Sequence, residues 1–385
     1  MLLLENLKPA SRIDAPKDFR PAIEFDGTEG IATLPAVPNG EAPEFEQFLI
    51  DQGFDPKLYE IVGAPRTSRW QQREGGEWLT SYRFSFRRLS PIGDLKLLWS
   101  RAKPPKKSKV QPKADTALVV MLADYQLGKS DSRGGAEEQL GRIMSAYDSL
   151  EDKFRKGKYE QIIFAEMGDI VEGFSNKADM QQLATNTMSI MDQVDLATTL
   201  TYEIIKRASK YSRVTYATVA SNHCQNRINK QQVGLPGNDD WGIFIAKQLH
   251  RLSKEVGLEL KILIPKPSDE SLAVDVFDDS FHVLGLWHGH QSSRPDAVPS
   301  FWEKSVFNNE PISAASIGLT GHFHHHRTQE LGLHSNGGSR YWIMGKTMDN
   351  GSSWFRLRGG SESQPGITCF ELEKNKHFTG SVFNV

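Results

Sequence analysis

Residues 161–172, Gln-Ile-Ile-Phe-Ala-Glu-Met-Gly-Asp-Ile-Val-Glu (QIIFAEMGDIVE), hold the choice of fold. An apolar run of strand length, Gln161–Met167, stops at Gly168-Asp169. Glycine lets the chain turn where a side chain would be strained, and the aspartate sets a carboxylate at the carboxyl end of the strand. One such aspartate is ordinarily a turn or cap residue, so its weight depends on recurrence. It recurs. Thr116–Ala123 (TALVVMLA) ends in Asp124-Tyr125-Gln126, and Val214–Ala220 (VTYATVA) ends in Ser221-Asn222-His223. Phe281–Trp287 (FHVLGLW) ends in His288-Gly289-His290, and Ala314–Thr320 ends in Gly321-His322-Phe323-His324. Helices are predicted over 135–157, 180–211 and 239–256, the last opened by Asn238-Asp239-Asp240 as an N-cap region. Strands alternating with helices specify an α/β fold, in which ligands gather at the carboxyl ends of the strands.

The last of these ends, GHFHHHR at 321–327, places four of the eleven histidines within five positions. It lies deep in the chain, unlike a purification tag. On an extended chain, residues two apart point to one side, so His322 and His324 are expected to share a site while His325 and His326 face elsewhere. Two histidines do not complete a metal site; the other strand ends must supply the remaining ligands.

Bulk composition narrows the class. A chain of 385 residues with 38% hydrophobic and 10% aromatic content has room for a large core and an appendage. Only Cys224 and Cys369 occur, which suits a reducing compartment without a disulfide framework. No apolar run approaches a membrane span, and a cytoplasmic location is expected. The net charge of −2 hides an uneven distribution. Residues 1–65 carry five Lys/Arg against twelve Asp/Glu, whereas 66–113 carry thirteen against three.

The basic block interleaves aromatics (RTSRWQQREGGEWLTSYRFSFRRL) and ends in RAKPPKKSKVQPK, which reads as a linker. Residues 1–113 are therefore assigned as an N-terminal extension and 114–385 as a larger C-terminal domain. Within the extension, the chain to about residue 42 is expected to be irregular. APEFEQFLIDQGFDPKLYEIVG reads as a short helix and turn, and WLTSYRFSFRRL as a strand with aromatics on one side and basic residues on the other. A nucleic-acid or partner-binding face and a plain solvated face both stay open for this block.

Taken in order, Asp124-Tyr125-Gln126, Gly168-Asp169, Ser221-Asn222-His223, His288-Gly289-His290 and Gly321-His322-Phe323-His324 resemble the motif series of the calcineurin-like metallophosphoesterases. The resemblance spans about 115–385 and is also similar to the phage-encoded, nuclease-like branch of that superfamily. It implies two mixed β-sheets sandwiched between helices, with two divalent metal ions in the cleft. Asp124, Gln126, Asp169 and His324 would hold one ion. Asp169 would bridge to the second, which also takes Asn222, His288 and His322, the pair lying about 3.5–4 Å apart. His223 would protonate the leaving oxygen. Arg227 and His290 are the candidate substrate-binding residues.

Three departures from the family pattern matter. Gln126 stands where the family has His, which favours Mn²⁺ or Mg²⁺ over Zn²⁺; Mn²⁺ is the expected ion, with Mg²⁺, Zn²⁺ and Fe²⁺ as alternatives. Ser221 replaces a glycine, a change taken as minor. Cys224 replaces an acid, so Gln225 or Asn226 would have to orient His223, with Cys224 itself a buried thiol. Glu172 is placed behind the ligands rather than among them. The expected function is dimetal phosphodiester hydrolysis, with DNA as substrate. A phosphodiesterase of small or cyclic nucleotides and a non-catalytic scaffold are the alternatives. The stretch 180–211 reads as a core helix, with a homodimer face as the alternative, and 366–385 as a closing hairpin.

Overall fold

A computed structural model describes residues 19–25, 29–38, 45–53, 56, 59–71, 75–88, 115–174, 185–228, 231–357 and 363–385. The chain divides into two compact units, Met1–Pro91 and Ile92–Val385. The expected Pro/Lys linker at 102–114 and the first residues of the predicted 180–211 helix lie outside the described residues.

The first unit contains strands β1 (Ala22–Phe25), β2 (Glu29–Thr33) and β3 (Val37–Pro38), helix α1 (Phe45–Asp51), and strands β4 (Tyr59–Ile61), β5 (Arg66–Gln71) and β6 (Trp78–Arg88). β6 is the axis of the sheet and pairs antiparallel with β2, β3, β4 and β5. Residues before 42 were expected to be irregular; three of these strands lie there. They are two to five residues long; β2 and β3 owe their conformation to pairing with the distant β6, and β1 to pairing with β2, rather than to local pattern. The alternation along β6 does hold. Tyr82, Phe84 and Phe86 join a core with Phe45, Phe48 and Leu49 of α1, while Arg83 and Arg87 lie on the other face, Arg83 directly opposite Arg66 of β5.

The second unit begins with β7 (Thr116–Leu122), α2 (Ala136–Lys156), β8 (Gln161–Glu166), α3 (Ile190–Ala208) and β9 (Arg213–Thr218). A small hairpin, β10 (Arg227–Ile228) and β11 (Gln231–Gln232), precedes α4 (Trp241–Glu255) and β12 (Leu260–Leu263). β13 (Ser271–Asp275), β14 (Val283–Trp287), α5 (Val298–Phe307), β15 (Ile317–Thr320), β16 (Arg327–Leu333) and β17 (Ser339–Met344) follow. α6 (Ser353–Arg356), β18 (Thr368–Glu373) and β19 (Phe383–Asn384) complete the chain.

Two mixed sheets result. The first has the order β12-β9-β8-β7-β18-β19 and the second β13-β14-β15-β17-β16. β7, β8, β9 and β12 run parallel, as do β14, β15 and β17, with antiparallel strands at the margins. The continuous apolar runs have a simple cause: both faces of the central strands are buried. Leu118, Val120 and Leu122 of β7 face α2, α3 and α4 in one core. Ala117, Val119 and Met121 face the second sheet in another, meeting Leu284, Leu286, Ile317 and Leu319. A third core lies beyond the second sheet, where Trp287 and Trp342 meet Val298 and Trp302 of α5.

Asp240 caps α4, its carboxylate accepting from Ile243 N–H at 3.1 Å. The predicted closing hairpin is present as the antiparallel pair β18–β19. α3 buries Val194, Leu200, Ile204 and Ile205 in the first core. Among the described residues no helix is long and apolar enough to cross a membrane.

Candidate metal centre

Parallel pairing puts the carboxyl ends of β7, β8 and β9 side by side in one sheet, and those of β14, β15 and β17 in the other. The turns leaving these ends are tight. Asp124, Gln126, Asp169, His322 and His324 adopt left-handed backbone, with φ of 51°, 44°, 52°, 71° and 58°. Such conformations cost non-glycine residues on the order of 1–3 kcal/mol each and concentrate where a site dictates geometry. Interlocking hydrogen bonds hold them. Asp124 N–H donates to Gly168 O at 3.2 Å, Gln126 N–H to Asp169 O at 2.8 Å and Gly321 N–H to His288 O at 2.9 Å. The expectation that His322 and His324 share an extended chain fails here: β15 ends at Thr320, and the left-handed turn sends the two rings to different partners.

The donor atoms of Asp169, His288 and His322 lie within 4.8 Å of one another, the one such group among the described residues. His288 Nδ1 lies 2.7 Å from Met167 O, the donor–acceptor pairing that turns Nε2 toward the cluster. Burial would lower this imidazole, but Asp169 raises it to about 9, so Nε2 holds a proton that a cation would displace. That Nε2 is 2.9 Å from Asp169 Oδ2 and 3.0 Å from Asn222 Oδ1. Asp169 Oδ2 is buried, and His288 is its nearest donor. An imidazole nitrogen and two oxygens therefore converge at one point, and a cation that displaced the His288 proton would meet all three. Burial pushes the Asp169 carboxyl up, but the imidazoles of His288 and His223 outweigh it and hold the group well below the usual carboxylate range. Burial and His288 keep His322 well below its ordinary value, hence neutral and ligand-ready. The donor set, imidazole nitrogen with carboxylate and amide oxygen, fits a divalent transition metal.

Asp124 and His324 form a second group beside it. Asp124 accepts from His322 N–H with both oxygens, at 2.8 and 3.0 Å. His324 Nε2 is 3.6 Å from Asp124 Oδ1, and its Nδ1 is 3.1 Å from Asp349 Oδ2. Gln126 meets this group differently: its Oε1 accepts from the buried Lys129 Nζ at 2.8 Å.

His223 stands over Asp169, its backbone N–H donating to Asp169 Oδ1 at 2.8 Å. Gln225 or Asn226 was expected to orient its ring, but Glu172 does so: Nδ1 is 2.9 Å from Glu172 O and 3.3 Å from Glu172 Oε2. Gln225 instead takes Arg227 at 2.6 Å. Burial would lower the His223 pKa; Asp169 and Glu172 overcome it and raise it to about 9. His290 lies with its ring 5.5 Å from His288 and 6.3 Å from His322, and burial followed by the His288 charge lowers it to about 3. Arg227 contributes to that same lowering. Cys224 is a buried thiol pushed up by burial. His325 bonds within its own loop, Nδ1 lying 2.9 Å from Phe323 O, and His326 approaches Thr328.

Several supporting residues escaped the sequence. Ser221 is not a minor change: its hydroxyl accepts from Asp169 N–H at 2.7 Å. A Cβ on Gly168 (φ 93°) would sit 2.4 Å from Ser221 Cβ and 2.8 Å from His288 Nδ1, so only glycine fits between them. The loop after β17 was a sixth strand end of the same kind. Thr347 Oγ1 donates to Asp124 O at 2.6 Å, Asp349 holds His324, and Asn350 Nδ2 donates to Lys129 O at 2.6 Å.

Beneath the Ser221 turn lie two further buried acids. Asp240 Oδ2 accepts from Ser221 N–H at 3.0 Å, and Glu166 accepts from Gly168 N–H at 2.8 Å and from Thr218. Burial, against those hydrogen bonds, raises Glu166 from 4.5 to about 8 and Asp240 from 3.8 to about 7. For Glu166, both folded and unfolded chains carry the proton below 4.5, and only the folded chain does so between 4.5 and about 8. Its contribution to stability is complete at acid pH and falls across that window as pH rises. Glu166→Gln is therefore expected to match wild type in denaturant midpoint near about pH 5 and to exceed it at about pH 9.

No protein-family model matches the chain, and no curated protein matches it.

Proposed function

We propose that the chain is a divalent-metal-dependent phosphodiester hydrolase of the metallophosphoesterase kind, acting on nucleic acid. The convergence of Asp169, Asn222, His288 and His322, with His223 bonded to the Asp169 carboxylate through its backbone, carries this reading. Asp169 would serve two ions, one with Asn222, His288 and His322, the other with Asp124, Gln126 and His324. Mn²⁺ matches this donor set best. When bound, such ions supply Lewis acidity toward phosphoryl oxygens and an activated water.

The chain's own groups supply the rest. Glu172 fixes the His223 ring through Nδ1 and leaves Nε2 toward the pocket. With a pKa of about 9 that imidazole is protonated at neutral pH, the state needed to give a proton to a departing alkoxide. Arg227 offers a guanidinium to a phosphate oxygen, and the neutral His290 offers a hydrogen-bonding ring.

Nucleic acid is favoured as substrate by the first unit, where Arg66 and Arg83 face each other across β5 and β6. Trp70 lies on the same face of β5 as Arg66, four residues on. Basic groups with an aromatic neighbour suit a polynucleotide backbone and its bases. Neutralising both arginines (Arg66→Gln with Arg83→Gln) in the full chain is expected to lower cleavage of long DNA by about 10-fold at moderate salt. Hydrolysis of bis(p-nitrophenyl) phosphate should stay unchanged. Equal activity on both substrates would favour a small or cyclic nucleotide instead.

A further inference from the structure

The two halves of the metal centre are built unequally. Around His288, the atoms that meet are an imidazole nitrogen, a buried carboxylate oxygen whose nearest donor is that imidazole, and an amide oxygen. Around His324, the amide oxygen of Gln126 already accepts from an ammonium, Lys129 Nζ, at 2.8 Å. Lys129 is buried, at 7% exposure, and its counterion is Asp349, at 3.2 Å. Asp349 is shared further: its Oδ2 takes His324 Nδ1 at 3.1 Å, and its Oδ1 lies 3.6 Å from Arg133. One carboxylate thus answers two cations and a histidine, so Asp349 adds little negative charge to that of Asp124 and Asp169 beside Gln126. A buried ammonium hydrogen-bonded to a ligand atom both occupies that oxygen and repels the ion it would bind.

We infer that Lys129 makes the two cation positions unequal. The position formed by Asp169, Asn222, His288 and His322 fills first. The position formed by Asp124, Gln126 and His324 fills only at higher divalent-cation concentration, so turnover follows the free cation level. This rests on the metal-dependent reading above and goes beyond it by assigning to Lys129 the role of setting occupancy.

The test is a Mn²⁺ titration of the metal-stripped full chain, following free Mn²⁺ by its electron paramagnetic resonance signal. Wild type is expected to bind in two steps with Kd values separated by ~10-fold or more. Lys129→Met should tighten the second step by ~10-fold and leave the first within about twofold, while Lys129→Arg, which keeps the charge, should leave the second step weak. Binding of a single ion by wild type, with a second gained in Lys129→Met, is the limiting case of the same inequality. A single wild-type step taking two ions with equal affinity overturns the inference, and it does so whether or not the variants fold. Folded wild type that binds no Mn²⁺ at all overturns the metal-dependent reading beneath it.

Discussion

Asp169→Asn is expected to abolish divalent-metal binding at the His288 position and to lower phosphodiester hydrolysis by about 10³-fold or more. The substitution keeps shape and most hydrogen bonds. Its Oδ1 can still accept from His223 N–H, and its backbone N–H still meets the Ser221 hydroxyl. What disappears is the negative charge at the buried Oδ2, where His288 Nε2 and Asn222 Oδ1 converge. Outer partners of a metal site are worth about 10–100-fold, and a carboxylate that would itself hold the ion is expected to be worth more. Metal affinity and turnover should fall together while circular dichroism and the thermal midpoint stay close to wild type. A variant that keeps wild-type affinity for Mn²⁺ would remove Asp169 from the centre of the site.

His223→Ala is expected to separate chemistry from binding. Loss of a positioned general acid costs typically ~10²–10⁴-fold in kcat, whereas the two Mn²⁺ affinities should hardly change, because the ring is turned to Glu172 by Nδ1. The loss should be greater on DNA, whose leaving alkoxide is strongly basic, than on bis(p-nitrophenyl) phosphate, whose p-nitrophenolate leaves with little help. Wild-type activity should also decline on an alkaline limb, where His223 gives up its proton, and the variant should lack that limb. Equal losses on both substrates, with the alkaline limb retained, would show that His223 only positions neighbours.

How far the sequence went follows from which interactions are local. The apolar runs at 116–123, 161–167 and 214–220 announced β7, β8 and β9 because both faces of each strand are buried and the residue types follow burial. Their polar ends announced Asp124, Asp169 and Asn222. What could not be read were partners distant in sequence. Glu172 orients His223 across 51 positions, and Asp349 meets Lys129 across 220. Ser221 looked like a neutral exchange for glycine, since its hydroxyl matters only where the β8 and β9 turns meet. The left-handed turn at His322–His324 defeated the alternation argument, which assumes extended backbone. β2 and β3 were missed for a similar reason: each is short, and its partner β6 lies about forty residues or more further along the chain, while the short β1 pairs only with β2.

The most direct test is hydrolysis of bis(p-nitrophenyl) phosphate by metal-stripped wild-type protein, with Mn²⁺ added back in steps. Turnover that is absent without metal, and rises with occupancy of the sites measured in the same samples, is the predicted result. Folded protein that binds Mn²⁺, Mg²⁺ or Zn²⁺ and still turns over neither this diester nor DNA would contradict the assignment of a catalytic metal centre.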